Sequence, residues 1–138
     1  MSMYRETGTA SPLVAAFSGN VFGLDSATGR VLWEQELDTA GNPSALVVTE
    51  SFVYVATFRT LACLHYRTGK IVWSVDTHVA GRATLMLDGE KLLVGKRGVI
   101  ECFSLSGDSV WRNDFKGKGE GAVALGYPGA VMQADDHG

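Results

Sequence analysis

Proline is scarce in this chain, with three residues in 138, and cysteine scarcer still at two. Two cysteines make no disulfide framework, so a reducing, cytoplasmic location is the expectation. Stability then has to come from a packed core, and a chain of this length buries roughly two thirds of its unfolded surface without help from metals. Neither sign of charge dominates, since twelve Lys and Arg face fifteen Asp and Glu for a net −3. A nucleic-acid groove gathers Lys and Arg on a basic domain, so that partner class is not expected. No apolar run approaches the roughly eighteen residues of a membrane-crossing helix. Met1-Ser-Met-Tyr-Arg-Glu6 carries no apolar stretch behind its positive charge, so neither a signal peptide nor a membrane span is expected.

Helix signals are almost missing as well, and what stands in their place is a repeat. Phe22-Gly-Leu-Asp-Ser-Ala-Thr-Gly-Arg-Val-Leu-Trp33 recurs as Ala62-Cys-Leu-His-Tyr-Arg-Thr-Gly-Lys-Ile-Val-Trp73 and as Ile100-Glu-Cys-Phe-Ser-Leu-Ser-Gly-Asp-Ser-Val-Trp111. All three tryptophans occupy the same slot, spaced by 40 and 38 residues, and each has a glycine four positions earlier: Gly29, Gly69 and Gly107. A fixed period of this size marks a repeat architecture in which each unit buries its apolar face on its neighbour.

Within each unit the pattern is that of short strands. Ser44 to Thr49 and Ser51 to Phe58 are rich in Val, Phe and Tyr, which suit a pleated sheet. Ala83 to Leu87 and Lys91 to Gly95 repeat the pair around Asp88-Gly-Glu90, and Gly89 permits a tight hairpin. Leu13 to Phe17 supplies one strand before Phe22, and Ala122 to Gly126 with Ala130 to Ala134 supply two after Trp111. The expectation is a single domain over 1–138 with repeats at about 11–38, 43–77 and 82–115 and a half repeat at 121–135, thirteen strands in all. In Val31 to Leu37, Val31, Trp33 and Leu37 share one face and Glu34 and Glu36 the other, as in a half-exposed outer strand. Phe52-Val-Tyr-Val-Ala56 has no polar alternation and reads as buried on both sides. Antiparallel four-stranded sheets of this kind, repeated at about forty residues, are the blades of an all-β propeller, here partial.

The motif resembles the PQQ-like (pyrroloquinoline quinone) propeller repeat shared by quinoprotein alcohol dehydrogenases and the outer-membrane-assembly lipoprotein propeller. Leu24-Asp25, Thr28-Gly29-Arg30 and Trp33 carry the likeness most fully. The second repeat keeps Leu64, Thr68-Gly69-Lys70 and Trp73 with His65 in the Asp slot, and the third places Phe103 there with Ser106-Gly107-Asp108 as its turn. The resemblance implies that Trp33, Trp73 and Trp111, with Gly29, Gly69 and Gly107, are structural docking residues, each ring lying between blades and its N–H bonded to a neighbouring repeat. It also implies rings of about seven or eight blades, which 138 residues cannot close alone. Self-association, or membership in a longer protein, follows as an expectation.

Quinoprotein dehydrogenases hold their cofactor with an adjacent-cysteine disulfide, a calcium site and a catalytic Asp, and the sequence matches none of these motifs. Cys63 and Cys102 lie ten and nine residues before their tryptophans, which places them on opposite strand faces and makes each a buried hydrophobe. His65, His78 and His137 have no ligand spacing. Lys116-Gly-Lys-Gly-Glu-Gly121 lacks the Gly-Lys-Ser/Thr ending and following helix of a phosphate loop, so it reads as an inter-blade turn. Asp25 is expected to bond backbone N–H groups of its own turn. The reading is therefore a non-catalytic module with no cofactor or metal, a scaffold for a protein partner or for another copy of itself. The alternative is a fragment or subunit of a PQQ-dependent dehydrogenase-like protein.

Overall fold

A computed structural model describes residues 11–37, 45–128 and 130–132. Among the described residues thirteen strands and no helix form. The first sheet holds β1 (Leu13–Phe17), β2 (Asn20–Leu24) and β3 (Val31–Glu36). The second holds β4 (Ala45–Val48), β5 (Phe52–Ala56), β6 (Thr60–His65) and β7 (Ile71–Asp76). The third holds β8 (Thr84–Asp88), β9 (Lys91–Lys96), β10 (Val99–Ser104) and β11 (Ser109–Asn113). A short pair, β12 (Leu125–Tyr127) and β13 (Ala130–Met132), follows. Within each sheet every strand pairs antiparallel with its sequence neighbours, so each sheet is a meander. The all-β, partial-propeller expectation holds.

Turn chemistry closes these meanders. Ser18-Gly19 and Arg97-Gly98 both have positive φ at their two central residues, the two-residue hairpin turn whose twist matches the flanking strands. Between β5 and β6 no glycine is present, and Thr57 does the work instead. Its hydroxyl accepts the N–H of Arg59 at 3.2 Å and of Thr60 at 2.9 Å. At the outer edge of each sheet the register slips by one residue, leaving Leu32, Val72 and Val110 as bulges. All three point outward. The bulge also corrects the expected face of Val31, which is 51% exposed: the extra residue breaks alternation between it and buried Trp33.

The core lies between sheets. β5 sends Val53 and Val55 into a cluster with Val21, Trp33, Leu37 and Leu64, and Tyr54 and Ala56 into another with Leu85, Leu92 and Phe103. Both faces of Phe52–Ala56 are thus largely covered, as expected, although the strand is second rather than innermost in its sheet. The first strands β4 and β8 come together, while the last strands lie outermost and β11 is exposed throughout. The three sheets fan like blades about the side where β4 and β8 meet. β12 begins at Leu125, later than the expected Ala122, because Val123 is drawn to the third sheet: its carbonyl accepts the Thr84 hydroxyl and its side chain packs where a Gly95 Cβ would stand.

Cys63 and Cys102 are both buried and free. They occupy the same register slot, Cys63 opposite Trp73 and Cys102 opposite Trp111, not the opposite faces their spacing implied. The missing residue falls in the turn, which is shorter by one in the third sheet, so the strand phase is unchanged.

Gly69 sits at φ +78° with the Trp33 ring where its Cβ would be, whereas Gly29 sits at φ +79° with no described heavy atom within 4 Å of that point. Gly69→Ala therefore adds overpacking to backbone strain and is expected to cost about 3 kcal/mol. Gly29→Ala carries the strain alone, about 1 kcal/mol. Denaturant midpoints of the two variants measure the gap, and equal losses would mean that the ring does not press on Gly69.

Candidate docking site between the blades

The strands β2, β6 and β10 each end in a turn that positions a glycine and a carbonyl. Asp25 N–H donates to Arg30 O, His65 N–H to Lys70 O and Ser104 N–H to Asp108 O, each at 2.8 Å. Gly29, Gly69 and Gly107 N–H groups donate back to Asp25, His65 and Ser104 carbonyls at 2.7, 2.8 and 3.0 Å. The Asp25 carboxylate accepts the Ala27 N–H at 2.9 Å, as expected for that residue. In the third repeat Ser104, not Phe103, holds the Asp slot: its hydroxyl accepts the Ser106 and Asp108 N–H groups at 3.2 and 3.1 Å. Phe103 is a buried core residue. The one-residue shortening of the turn explains the shift.

Onto these turns come the indoles of the preceding sheet. Trp33 Nε1–H donates to Tyr66 O at 3.0 Å and Trp73 Nε1–H to Leu105 O at 2.9 Å. The Trp33 ring fills the space beside Gly23 of its own sheet and Gly69 of the next, and the Trp73 ring lies 2.8 Å from an ideal Gly107 Cβ. A large flat side chain with one polar handle suits such a seam, because its N–H must be paired once buried. Trp111 is different. The residue is 46% exposed.

The two seams differ in their filling. At the first, the Tyr66 hydroxyl reaches across to Pro12 O. At the second, Leu105 stands in the place of Tyr66, and a cavity of about 810 Å³ opens beside Phe52, Tyr54, Cys63, Trp73 and Leu105. Burial pushes the Cys63 thiol up to about 11, which keeps it protonated and unreactive near neutral pH. Burial raises Cys102 as well.

At the opposite end of the second seam a lysine does the joining. Lys96 is 1% exposed, and its ammonium donates to Thr57 O at 2.8 Å, Phe58 O at 3.2 Å and Thr77 Oγ1 at 2.8 Å, all in the preceding sheet. Desolvation lowers it to about 8, against the opposing pull of Glu101. Glu101, itself buried, accepts the His78 N–H and the Ser109 hydroxyl, each at 3.1 Å. Sequence reasoning missed Lys96. The signal was present, since Leu92, Val94 and Lys96 share one strand face and the first two are core residues.

The remaining candidates do not gather. His65 is exposed and stacks on Phe52 with ring centroids 5.8 Å apart, and His78 is exposed. His137 lies outside the described residues. Among the described residues no three His, Cys, Asp or Glu side chains come together. Lys116 to Gly121 form an exposed connection between β11 and β12, tied to the third sheet by the exposed Arg97–Glu120 ion pair. Among the described residues no helix is long and apolar enough to cross a membrane.

A family model described as outer membrane protein assembly factor BamB matches residues 17–137. The chain belongs to that family. Its repeats are of the PQQ-like kind. Solved structures similar to it include BamB from Moraxella catarrhalis, 23% identical with a TM-score of 0.62 over 75% of this chain and 33% of that one. The computationally designed protein Ika8 is 19% identical with a TM-score of 0.73, over 93% of this chain and 41% of that one. A europium-containing methanol dehydrogenase is 15% identical with a TM-score of 0.58, over 73% and 22%. These likenesses establish a shared propeller fold, of which the chain spans well under half the length of each neighbour. No curated protein matches the sequence significantly.

The Lys96 amine gives the second seam a pH signature. Its folded-state value is about 8 against 10.5 ordinarily, so between those limits the unfolded chain binds more protons and stability rises with pH. The full shift corresponds to roughly 3 kcal/mol. Cys63, raised from 9.0 to about 11, acts in the opposite direction above pH 9, so the lysine is isolated by difference. The stability of the native chain minus that of Lys96→Met should climb by about 3 kcal/mol from pH ~7.5 to ~10.5 in urea unfolding. A flat difference would show that the ammonium pays no desolvation cost in the seam.

Proposed function

We propose that this chain is a non-catalytic PQQ-like repeat module, an assembly scaffold that presents loops on rigid blades to a protein partner. Trp33, Trp73 and Trp111 with Gly29, Gly69 and Gly107 are its docking set, and no cofactor or metal takes part. The observation that carries the reading is the use of the indoles. Trp33 and Trp73 direct their N–H groups to carbonyls of the next blade at 3.0 and 2.9 Å, inside apolar seams. Rings held in that way join sheets and are not offered to a planar cofactor. The family match over residues 17–137, to a model named for an assembly factor, supports the same reading.

Loops on a fixed sheet framework are a common place for recognition. Here Thr49 to Ser51, Gly89 and Ser106 cluster on one rim, around the mouth of the second seam.

Titration with pyrroloquinoline quinone in the presence of Ca²⁺, followed by tryptophan emission, tests the reading against the dehydrogenase alternative. The expected result is a weak decline that never saturates. Saturable quenching, abolished by removal of Ca²⁺, would reverse it.

A further inference from the structure

The residue whose carbonyl receives the indole also decides how each seam is capped. In the first seam that residue is Tyr66, which is buried and whose hydroxyl donates to Pro12 O on the far side of the join. In the second it is Leu105, shorter and only half-buried. Trp33 is accordingly buried, whereas Trp73 is half-buried. The opposite wall changes too. By register with Trp33 and Trp73, Phe52 and Tyr54 stand where Pro12 and Val14 stand in the first sheet. The cavity of about 810 Å³ therefore has aromatic sides, with the Tyr54 ring centroid 6.1 Å from that of Phe52 and 6.4 Å from that of Trp73. Cys63, buried and held protonated, keeps its interior uncharged.

We propose that this cavity takes one aromatic side chain, tyrosine or phenylalanine, from a partner segment in which Lys or Arg flanks the ring. The proposal rests on the scaffold reading and deepens it by naming what the rim of the second seam recognises. The first seam supplies the reason for a ring, because there a tyrosine of the chain itself fills the corresponding position between blades. The volume lies in the range usual for ligand sites, enough to enclose a ring with the backbone that carries it.

Charge at the rim sets the flanks. Glu50 lines the mouth and is exposed, and within two positions of lining residues the chain places Asp88, Glu90 and Asp108 against Lys70 and Lys91. Lys91 stands opposite Asp88 in the β8–β9 register, which leaves Glu50, Glu90 and Asp108 against Lys70. Such a surplus draws a basic segment and repels an acidic one, and salt weakens both effects. The arrangement is that of an interface anchor: an apolar pocket for one large side chain, ringed by polar groups that orient its neighbours.

Amide and indole NMR shifts of the 138-residue chain, titrated at low salt with acetyl-Lys-Tyr-Lys-amide, acetyl-Glu-Tyr-Glu-amide and acetyl-Lys-Leu-Lys-amide, test the site. The first peptide should give saturable shifts centred on Phe52, Tyr54, Cys63, the Trp73 indole and Leu105. It should bind more tightly than the other two, and high salt should erase its advantage over the Glu-flanked peptide. Leu105→Tyr, which copies Tyr66 into the second seam, should weaken binding at least about tenfold, with circular dichroism verifying that the sheets remain. Glu50→Lys, outside the core, should narrow the preference for Lys flanks. Shifts that never saturate or scatter over the surface would overturn the proposal, as would equal binding of the leucine peptide or undiminished binding by Leu105→Tyr. Shifts at these residues that follow the chain's own concentration would make a second copy the occupant and overturn it as well. Each of these failures leaves the scaffold reading standing, because that reading falls only to saturable, Ca²⁺-dependent quinone binding.

Discussion

Everything in this fold depends on an indole N–H that leaves water. Once Trp33 is buried, its N–H has to find an acceptor or cost about 1–3 kcal/mol, and the carbonyl it finds belongs to the next sheet. That requirement fixes the rest of the seam. The acceptor must sit in a turn, because strand carbonyls are already used within the ladder. The turn must bring a residue without a Cβ under the ring, and that residue must accept positive φ, which selects glycine twice over at Gly69 and Gly107. A motif that looks like turn chemistry in one repeat is therefore shaped as much by the tryptophan of the repeat before it.

The two seams answer the requirement differently. At the first, the ring fits between Gly23 and Gly69 and Tyr66 reaches Pro12, so the rim is filled with protein. At the second, Cys63 replaces Gly23 as the partner opposite the tryptophan and Leu105 replaces Tyr66, so the rim opens into a cavity. The compensation lies at the other end of the same seam, where Lys96 makes three bonds to the second sheet. A buried ammonium is costly unless its donors are all used, and here three acceptors meet three N–H groups. The second seam is thus open above and fastened below, and the two ends differ in what can reach them.

The sequence revealed the sheets well because period and turn chemistry are local signals. Three tryptophans at matched positions, a glycine four residues before each, and Val, Phe and Tyr runs between turns need only short-range reading. It revealed individual faces less well where a bulge or a shortened turn intervened. Val31 loses its place beside Trp33 to the bulge at Leu32, Cys63 and Cys102 keep the same slot although their counts differ, and Ser104 rather than Phe103 closes the third turn. Counting from the tryptophan carries each of these errors, since the count crosses a point where the chain gains or loses one residue. Lys96 was missed for a different reason. A lysine at a strand end normally reaches solvent, and only a neighbouring sheet, invisible in its own sequence window, turns that position into an interior one.

A shared propeller fold with both an assembly factor and a dehydrogenase does not choose between their chemistries, because function resides in sites grafted onto folds. What faces the middle of the fan is a separate matter from the shared fold. In a propeller that place belongs to the first strand of each blade, where several blades can bring polar groups to one point, and a reactive site needs such convergence. Here β4 is Ala45-Leu-Val-Val48 and β8 is Thr84-Leu-Met-Leu-Asp88, so Asp88 is the one titratable side chain on these two strands. Asp88 lies at the end of its strand, where its carboxylate raises the pKa of the exposed Tyr127 in the following pair. The polar groups of this chain are spent instead on its seams: Asp25 and Ser104 on turns, Lys96 and Glu101 on the join between blades. A chain that invests its described buried polar atoms in holding sheets together, and leaves β4 and β8 largely apolar, is organised for rigidity.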